Sequence, residues 1–211
     1  MSQVDNISIS ISKEQLSKLP TVSFPGHITV IDTVEGAKNA VEYLKTQKIV
    51  GFDTETKPSF KRGKSNNVSL MQISTSTQCF LFRLKKIGID CLKELIEDDN
   101  IIKIGLSLKD DFSVMHRSSE FSPSGFIDLQ SFVKKFKIKD LSLQKIYGII
   151  FNERISKSQR LSNWDAVELT LSQKLYASMD AWACLRIYNH LVSGNFLPEK
   201  SPYVEINNTN P

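Results

Sequence analysis

The sequence predicts an α/β protein built on a mixed five-stranded sheet with helices on both faces. Short runs rich in β-branched and aromatic residues occupy the first half of the chain, whereas helical patterns dominate the second half. Elements in this order pack as layers, with helices covering a central sheet. At 211 residues and 40% hydrophobic content, the chain has enough apolar material for one domain with a real core.

The five predicted strands are residues 27–31, 49–54, 68–74, 79–84 and 101–105. Short polar loops join the second, third and fourth of them, as in an antiparallel meander. The fifth follows a helical pattern that contains Leu92, Leu95 and Ile96, so the sheet is expected to be mixed.

The predicted helices are residues 111–117, 129–136, 141–146 and 171–192. The last of them has a defined start, because Thr170 followed three positions later by Gln173 has the form of a capping box. Apolar residues at intervals of four then mark its buried side.

Residues 1–24 are polar and are predicted to form an N-terminal arm without a core of its own. One domain is predicted at 25–197, followed by a C-terminal tail at 198–211. The first residues lack a basic start and an apolar stretch, and no apolar run is long enough for a membrane span. We therefore expect a soluble, cytoplasmic protein with no membrane contact.

The positions of the cysteines and histidines restrict the kinds of metal site that the chain can form. The three cysteines are far apart and odd in number, which argues against a disulfide framework or a CxxC zinc site. The three histidines are equally scattered, so a metal would be held mainly by carboxylates, which select hard cations such as Mg²⁺ or Mn²⁺. A formal charge of +4 permits a polyanionic partner without requiring one.

Asp53 and Glu55 end an apolar strand. Side chains two apart on a strand point to the same face, so these carboxylates project together. Like charges side by side favour a bound cation, although two carboxylates facing solvent at a strand end are the alternative.

Two further segments carry acidic candidates. Asp110 has the spacing of a capping partner for Ser107, which leaves the adjacent Asp111 as the better ligand candidate. Tyr176 and Asp180 lie one helical turn apart on the last helix and so share a face. Taken alone, each of these would usually be a surface or packing residue.

As an ordered set, the segments GFDTE at 51–55, residues 105–111 and YASMDA at 176–181 resemble the three motifs of the DEDD exonuclease superfamily. The tyrosine places the resemblance in the DEDDy branch, with the Werner-type exonuclease domain and ribonuclease D as relatives. FKRGK at 60–64 ahead of VSLMQI, and LSNW at 161–164, resemble the Werner type as well. The match runs from about Ile49 to Leu191.

The resemblance implies a ribonuclease H-like fold and a two-metal 3′-5′ exonuclease that releases nucleoside 5′-monophosphates. It implies that Asp53, Glu55 and Asp180 hold one Mg²⁺ or Mn²⁺, while Asp53 and Asp111 serve the second. It gives Tyr176 the task of orienting the attacking water, since a phenol with an ordinary pKa of about 10 is a poor base at neutral pH.

The expected partner is nucleic acid with a free 3′ end, single-stranded or recessed, with DNA slightly preferred over RNA. The candidate nucleic-acid contacts lie in the loop after Glu55: Lys57, Phe60, Lys61, Arg62 and Lys64. A solvated hairpin tip is the alternative for this loop. The alternative for the whole chain is a catalytically inactive nucleic-acid-binding or adaptor module of the same fold.

Overall fold

A mixed sheet of six strands forms the centre of the protein, in a computed structural model that describes residues 7–59 and 66–206. In spatial order the strands are β3 (His27–Ile31), β6 (Gln78–Arg83), β5 (Val68–Ser74), β4 (Ile49–Thr56), β7 (Ile102–Gly105) and β8 (Phe126–Asp128). β4, β5 and β6 pair antiparallel, and the remaining three pairs are parallel. The predicted mixed sheet with an antiparallel centre is therefore confirmed.

The predicted number of strands was wrong by one, because β8 was not recognised. This edge strand is only three residues long and none of them is fully buried. A strand of that length shows no period-2 pattern, which is the signal that the other strands provided.

Helices cover both faces of the sheet, as predicted. Eight α-helices are present in the described part of the chain: α1 (Lys13–Ser17), α2 (Val34–Lys45), α3 (Leu84–Ile87), α4 (Lys93–Glu97), α5 (Leu108–Met115), α6 (Leu129–Phe132), α7 (Leu143–Phe151) and α8 (Leu171–Val192). The apolar sides of α2, α4 and α5 join one core cluster, and those of α7 and α8 join the other. No helix among the described residues combines the length and the apolar character needed to cross a bilayer.

The sequence-based helix assignments differ in quality. α8 begins and ends where predicted, and the capping box of Thr170 and Gln173 is present. α5 begins three residues before the predicted start at 111. α2 was not predicted, although Thr33 caps it and Ala37, Val41 and Leu44 recur along its buried side.

The first and last segments of the described chain are tied to the domain through small sheets. β1 (Ile7–Ile9) pairs antiparallel with β10 (Val204–Ile206), and β2 (Thr21–Val22) pairs parallel with β9 (Arg154–Ile155). Ile9 and Ile11 are fully buried in the core cluster that α7 and α8 share. The boundaries at 25 and 197 stay a prediction, but the described part of the arm contributes to the core of the domain.

Close packing of α8 against β4 positions the acidic residues. Gly51 on β4 leaves room for the helix backbone, since a Cβ at this position would lie 1.9 Å from the carbonyl oxygen of Ala181. Ala177 and Ala181 are fully buried and keep the helix slim on this side. As a result, residue 180 of α8 lies beside the C-terminal half of β4.

Candidate metal centre

Three carboxylates from two distant segments converge at the end of β4. Asp53 and Glu55 project from the same face of the strand, and Asp180 comes from α8. One ligand oxygen from each of the three lies within 4.8 Å of the other two. A β-bulge follows directly, since the register between β4 and β5 shifts between Glu55 and Thr56.

Asp111 joins this group from α5. β4 and β7 are parallel neighbours, so the helix that follows β7 starts alongside the end of β4. The hydroxyl of Thr54 donates a short hydrogen bond to the Asp111 carboxylate. Asp110 is exposed and instead accepts a hydrogen bond from the Ser107 hydroxyl at 3.0 Å. The geometry therefore brings Asp111, and not Asp110, to the cluster.

The predicted capping role of Ser107 was wrong. Ser107 has a left-handed backbone, with φ of 62°, and its side chain caps no amide. The Asp128 carboxylate accepts hydrogen bonds from the amides of Ser107 and Leu108, at 3.3 and 3.0 Å. It also caps α6 through the amide of Gln130 at 2.8 Å. Because Asp128 belongs to the unrecognised strand β8, sequence reasoning could not assign it this role.

Burial raises the pKa of each of the four carboxylates, and for Asp53 and Glu55 the charges of the other acids in the cluster add to the effect. Burial raises the pKa of Asp53 well above its usual range, and the charges of Asp180, Asp111 and Glu55 add to that effect. Burial and neighbouring acids raise the pKa of Glu55 to about 9. Burial likewise raises the pKa values of Asp111 and Asp180 to about 7.

Tyr176 lies one helical turn before Asp180 and hydrogen-bonds to its carboxylate, which lowers the pKa of Asp180. The pKa of the Tyr176 phenol is itself raised, first by burial and then by the charges of Asp180 and Glu55. The phenol therefore keeps its proton at neutral pH and acts as a hydrogen-bond donor. Trp164 is buried, and its ring lies 6.0 Å from that of Tyr176.

Cations surround the cluster without forming close pairs with it. Within residues 7–59 and 66–206, no salt bridge involves any of the four carboxylates. Arg160 lowers the pKa of Glu55, and Lys157 lowers that of Asp180. Sequence reasoning missed both cations, since a polar loop carries no periodic signal that would place it near the site.

The predicted nucleic-acid loop is only partly described. Lys57 is half-buried directly after β4, and its amide donates to the Ser69 hydroxyl at 3.3 Å. Phe60, Lys61, Arg62 and Lys64 lie outside the described residues.

The donor set fits a hard divalent cation. Oxygen ligands with no nitrogen or sulfur among them suit Mg²⁺ and Mn²⁺ rather than zinc. Like charges held this close in a low-dielectric setting are strongly unfavourable unless a cation or protons neutralise them. The cluster therefore has the composition and the electrostatic imbalance of a metal centre.

Comparison with known proteins supports a nuclease fold. A family model described as 3′-5′ exonuclease matches residues 28–194. The bifunctional 3′-5′ exonuclease/ATP-dependent helicase WRN of Mus musculus is 31% identical over 185 residues, which cover 82% of this chain and 13% of that protein. Exonuclease 3′-5′ domain-containing protein 2 of Drosophila melanogaster is 33% identical over 155 residues, covering 71% and 26%. The chain thus spans a small part of these relatives.

Solved structures give the same fold. The EXO domain of Aedes aegypti Nibbler superposes with a TM-score of 0.72 at 22% identity, over 85% of this chain and 97% of that one. Escherichia coli RNase D superposes with a TM-score of 0.71 at 21% identity, over 79% of this chain and 44% of that one. These likenesses confirm the predicted ribonuclease H-like fold.

Proposed function

Because the chain belongs to the 3′-5′ exonuclease family, in its tyrosine-bearing DEDDy branch, we propose that it hydrolyses nucleic acids from the 3′ end by a two-metal mechanism. The convergence of Asp53, Glu55 and Asp180 on one point is the observation that carries the proposal. Proteins of this family are hydrolases, and the proposed product is a nucleoside 5′-monophosphate.

In the proposed centre, Asp53, Glu55 and Asp180 would hold one divalent cation, and Asp53 and Asp111 would hold the second. Such a pair of cations, Mg²⁺ or Mn²⁺, supplies charge that lowers the pKa of a water and stabilises the leaving oxygen. The bond from phosphorus to the 3′ oxygen breaks as the water oxygen attacks in line, and a proton released from water passes to the 3′ oxygen, so the shortened strand keeps a 3′-hydroxyl.

The Tyr176 hydroxyl orients the attacking water in this proposal. The phenol keeps its proton at neutral pH because its pKa is raised, so the hydroxyl positions the water and does not take the proton of that water. The Thr54 hydroxyl holds the Asp111 carboxylate in place. Lys57, close behind Glu55, binds backbone phosphate together with the basic residues of the following loop, which gives sequence-independent and salt-sensitive affinity.

A degradation assay tests the proposal. End-labelled single-stranded DNA, recessed duplex DNA and single-stranded RNA are incubated with the protein and with Mg²⁺, Mn²⁺ or a chelator. We expect stepwise shortening from the 3′ end, release of 5′-monophosphates and a slight preference for DNA. Asp53→Asn and Asp180→Asn should lower the rate by about 10³-fold or more while the circular dichroism spectrum stays unchanged.

Glu35→Gln is the matched control, because Glu35 is an exposed acid in the first turn of α2. It should degrade all substrates at the wild-type rate. Mononucleotide release that survives in the Asp53 and Asp180 variants would show that the carboxylate cluster is not the catalytic centre. Absence of both turnover and calorimetric Mn²⁺ binding in the wild type would instead favour the inactive adaptor.

A further inference from the structure

Gln72, in the middle of β5, carries a buried amide that has no hydrogen-bond partner. Its exposed fraction is 0%, and neither its Oε1 nor its Nε2 bonds to another group in the described part of the chain. Gln173, the other buried glutamine among these residues, is fully paired. Its Nε2 donates to the carbonyl oxygen of Asn163 at 3.2 Å, and its Oε1 accepts from the amide of Thr170 at 3.0 Å.

Stability alone does not account for an unpaired amide at this position. All seven residues of β5 are buried, and the neighbours of Gln72 in the middle of the strand, Leu70, Met71 and Ile73, are apolar. A buried donor or acceptor without a partner destabilises the fold, and an apolar side chain of the same size would avoid that cost. Gln72 therefore needs an explanation outside the packing of the core.

The strand register places Gln72 beside Asp53. These residues are partners in the antiparallel pairing of β4 and β5, and such partners project from the same face of a sheet with Cβ atoms about 5 Å apart. Gly51, two residues before Asp53, lies against the backbone of Ala181. Since residues two apart on a strand share a face, Asp53 and Gln72 both point into the interface between the sheet and α8.

The other neighbours of Gln72 on this face do not compete for its amide. Its partner on β6 is Leu81, which is apolar. The hydroxyl of Ser74, two residues along β5, donates to the carbonyl oxygen of Thr75 at 2.9 Å. The Asp53 carboxylate has several acceptor positions. Glutamine is one methylene longer than aspartate and its terminal torsion is broad, so the amide can turn toward this carboxylate.

The orientation of Asp53 matters more than that of the other three acids, because Asp53 is the ligand shared by both cations of the proposed centre. A carboxylate that ligates a metal is in general hydrogen-bonded by a further group, which fixes the direction of its oxygens. The amide N–H of Gln72 is placed to make that bond from the neighbouring strand.

We propose that Gln72 is a positioning residue of the metal centre, whose Nε2 donates to the Asp53 carboxylate and holds it in the orientation that binds cations. The residue contacts neither a cation nor the substrate and acts through Asp53. This inference rests on the proposed function, since it adds to the proposed ligands a residue that orients one of them.

Calorimetric titration with Mn²⁺ tests the inference in Gln72→Met, which keeps the length of the side chain but removes the N–H donor. We expect the affinity for Mn²⁺ to fall about tenfold or more. The melting temperature in a chelator should not fall by more than about 3 °C, because no hydrogen bond is lost. In the degradation assay, saturating Mn²⁺ should restore kcat to within about threefold of the wild type.

Ser74→Ala is the matched control, two residues away on the same buried face. It removes the hydrogen bond to the Thr75 carbonyl, so its melting temperature should fall by about 3 °C while its affinity for Mn²⁺ stays unchanged. Gln72→Asn is a second variant, so that the test does not depend on the folding of Gln72→Met. Its amide is one methylene too short to reach Asp53, and the same loss of affinity is expected.

An affinity for Mn²⁺ within about twofold of the wild type in folded Gln72→Met or Gln72→Asn would overturn the positioning role, whatever the melting temperature. A loss of kcat that saturating Mn²⁺ does not restore would also contradict it, because the effect would then not act through metal binding. A wild type that binds no Mn²⁺ would overturn it as well.

This inference and the proposed function fail separately. Mononucleotide release by the wild type, together with unchanged affinity for Mn²⁺ in the Gln72 variants, leaves the nuclease standing and removes the role of Gln72. A wild type that binds Mn²⁺ more tightly than the Gln72 variants but releases no mononucleotide supports the positioning role and contradicts the proposed hydrolysis.

Discussion

Two polar clusters on different sides of α8 differ in whether their charges are balanced by other groups of the chain. In the middle of the helix, Asp180 faces Asp53 and Glu55, so that three acids meet. Six residues later, Arg186 forms an ion pair with Glu153 at 2.8 Å. The first cluster is unbalanced in the metal-free protein, and the second is balanced within the chain.

The Arg186 cluster satisfies its groups without help from outside. Glu153 also accepts a hydrogen bond from the buried Tyr147 hydroxyl at 3.2 Å. The guanidinium lies over three aromatic rings, with centroids at 4.1 Å for Phe151, 5.1 Å for Trp182 and 5.4 Å for Tyr147. A network closed in this way stabilises the fold, whereas the carboxylate cluster needs an external cation.

Beyond the Asp53 and Asp180 variants, the largest expected effect separates Asp111 from Asp110, two neighbours of which only Asp111 lies in the carboxylate cluster. Asp111→Asn should lower kcat by about 10²-fold, because it removes a proposed ligand of the second cation. Asp110→Asn, at an exposed site, should stay within about twofold of the wild type. Steady-state kinetics with an end-labelled strand measure both. Equal losses in the two variants would contradict the assignment.

The sequence alone predicted those parts of the site whose residues are spaced at the repeat of a strand or a helix. Two carboxylates two apart on a strand must share a face, and a tyrosine four before an aspartate must share a side of a helix. The capping box at Thr170 likewise fixed the start of α8. These predictions need no knowledge of the rest of the fold.

What the sequence did not predict depends on contacts between distant segments. β1 pairs with a strand almost 200 residues later, and β8 is recognisable only from its neighbour β7. Ser107 has the spacing of a cap, but its left-handed backbone gives that role to Asp128. Lys157 and Arg160 lie near the metal centre only because the chain folds back, so no local pattern indicates them.

Arg186→Met tests the balanced cluster. It keeps much of the apolar contact with the rings but removes the charge that pairs with Glu153. We expect the free energy of unfolding to fall by about 2 kcal/mol, with unchanged metal-dependent turnover. Lys38→Met, at an exposed position of α2, is the control and should melt like the wild type. Lost turnover in a stable Arg186→Met protein would mean that the two clusters are not independent.

Tyr176→Phe tests what the tyrosine hydroxyl contributes to the carboxylate cluster. The ring stays in place, but the O–H that is proposed to orient the water is lost. We expect kcat to fall about tenfold, with KM within twofold, because the hydroxyl acts on the attacking water and not on strand binding. The affinity for Mn²⁺, measured by calorimetry, should also change little. A large rise in KM with constant kcat would show instead that Tyr176 binds the strand.

The last prediction concerns the pH dependence of stability. The folded-state pKa values of Asp111 and Asp180 are raised to about 7, against about 4 in an unfolded chain. Between these values the folded protein binds more protons than the unfolded chain, so their contribution to stability is present at low pH and is lost as pH rises through about 7. The sign is opposite to that of an acid held in a salt bridge.

In a chelator, the free energy of unfolding should therefore fall by about 2 kcal/mol more between pH 5.5 and 8 than it does in an Asp53→Asn, Asp180→Asn variant. Denaturant titrations at the two pH values measure the difference. At pH 8, Mn²⁺ should restore the wild type by binding only its folded form, and it should leave the variant unchanged. Identical pH slopes in the two proteins would mean that the acids are not unbalanced in the metal-free fold. The carboxylate cluster and the Arg186 cluster would then not differ in the balance of their charges.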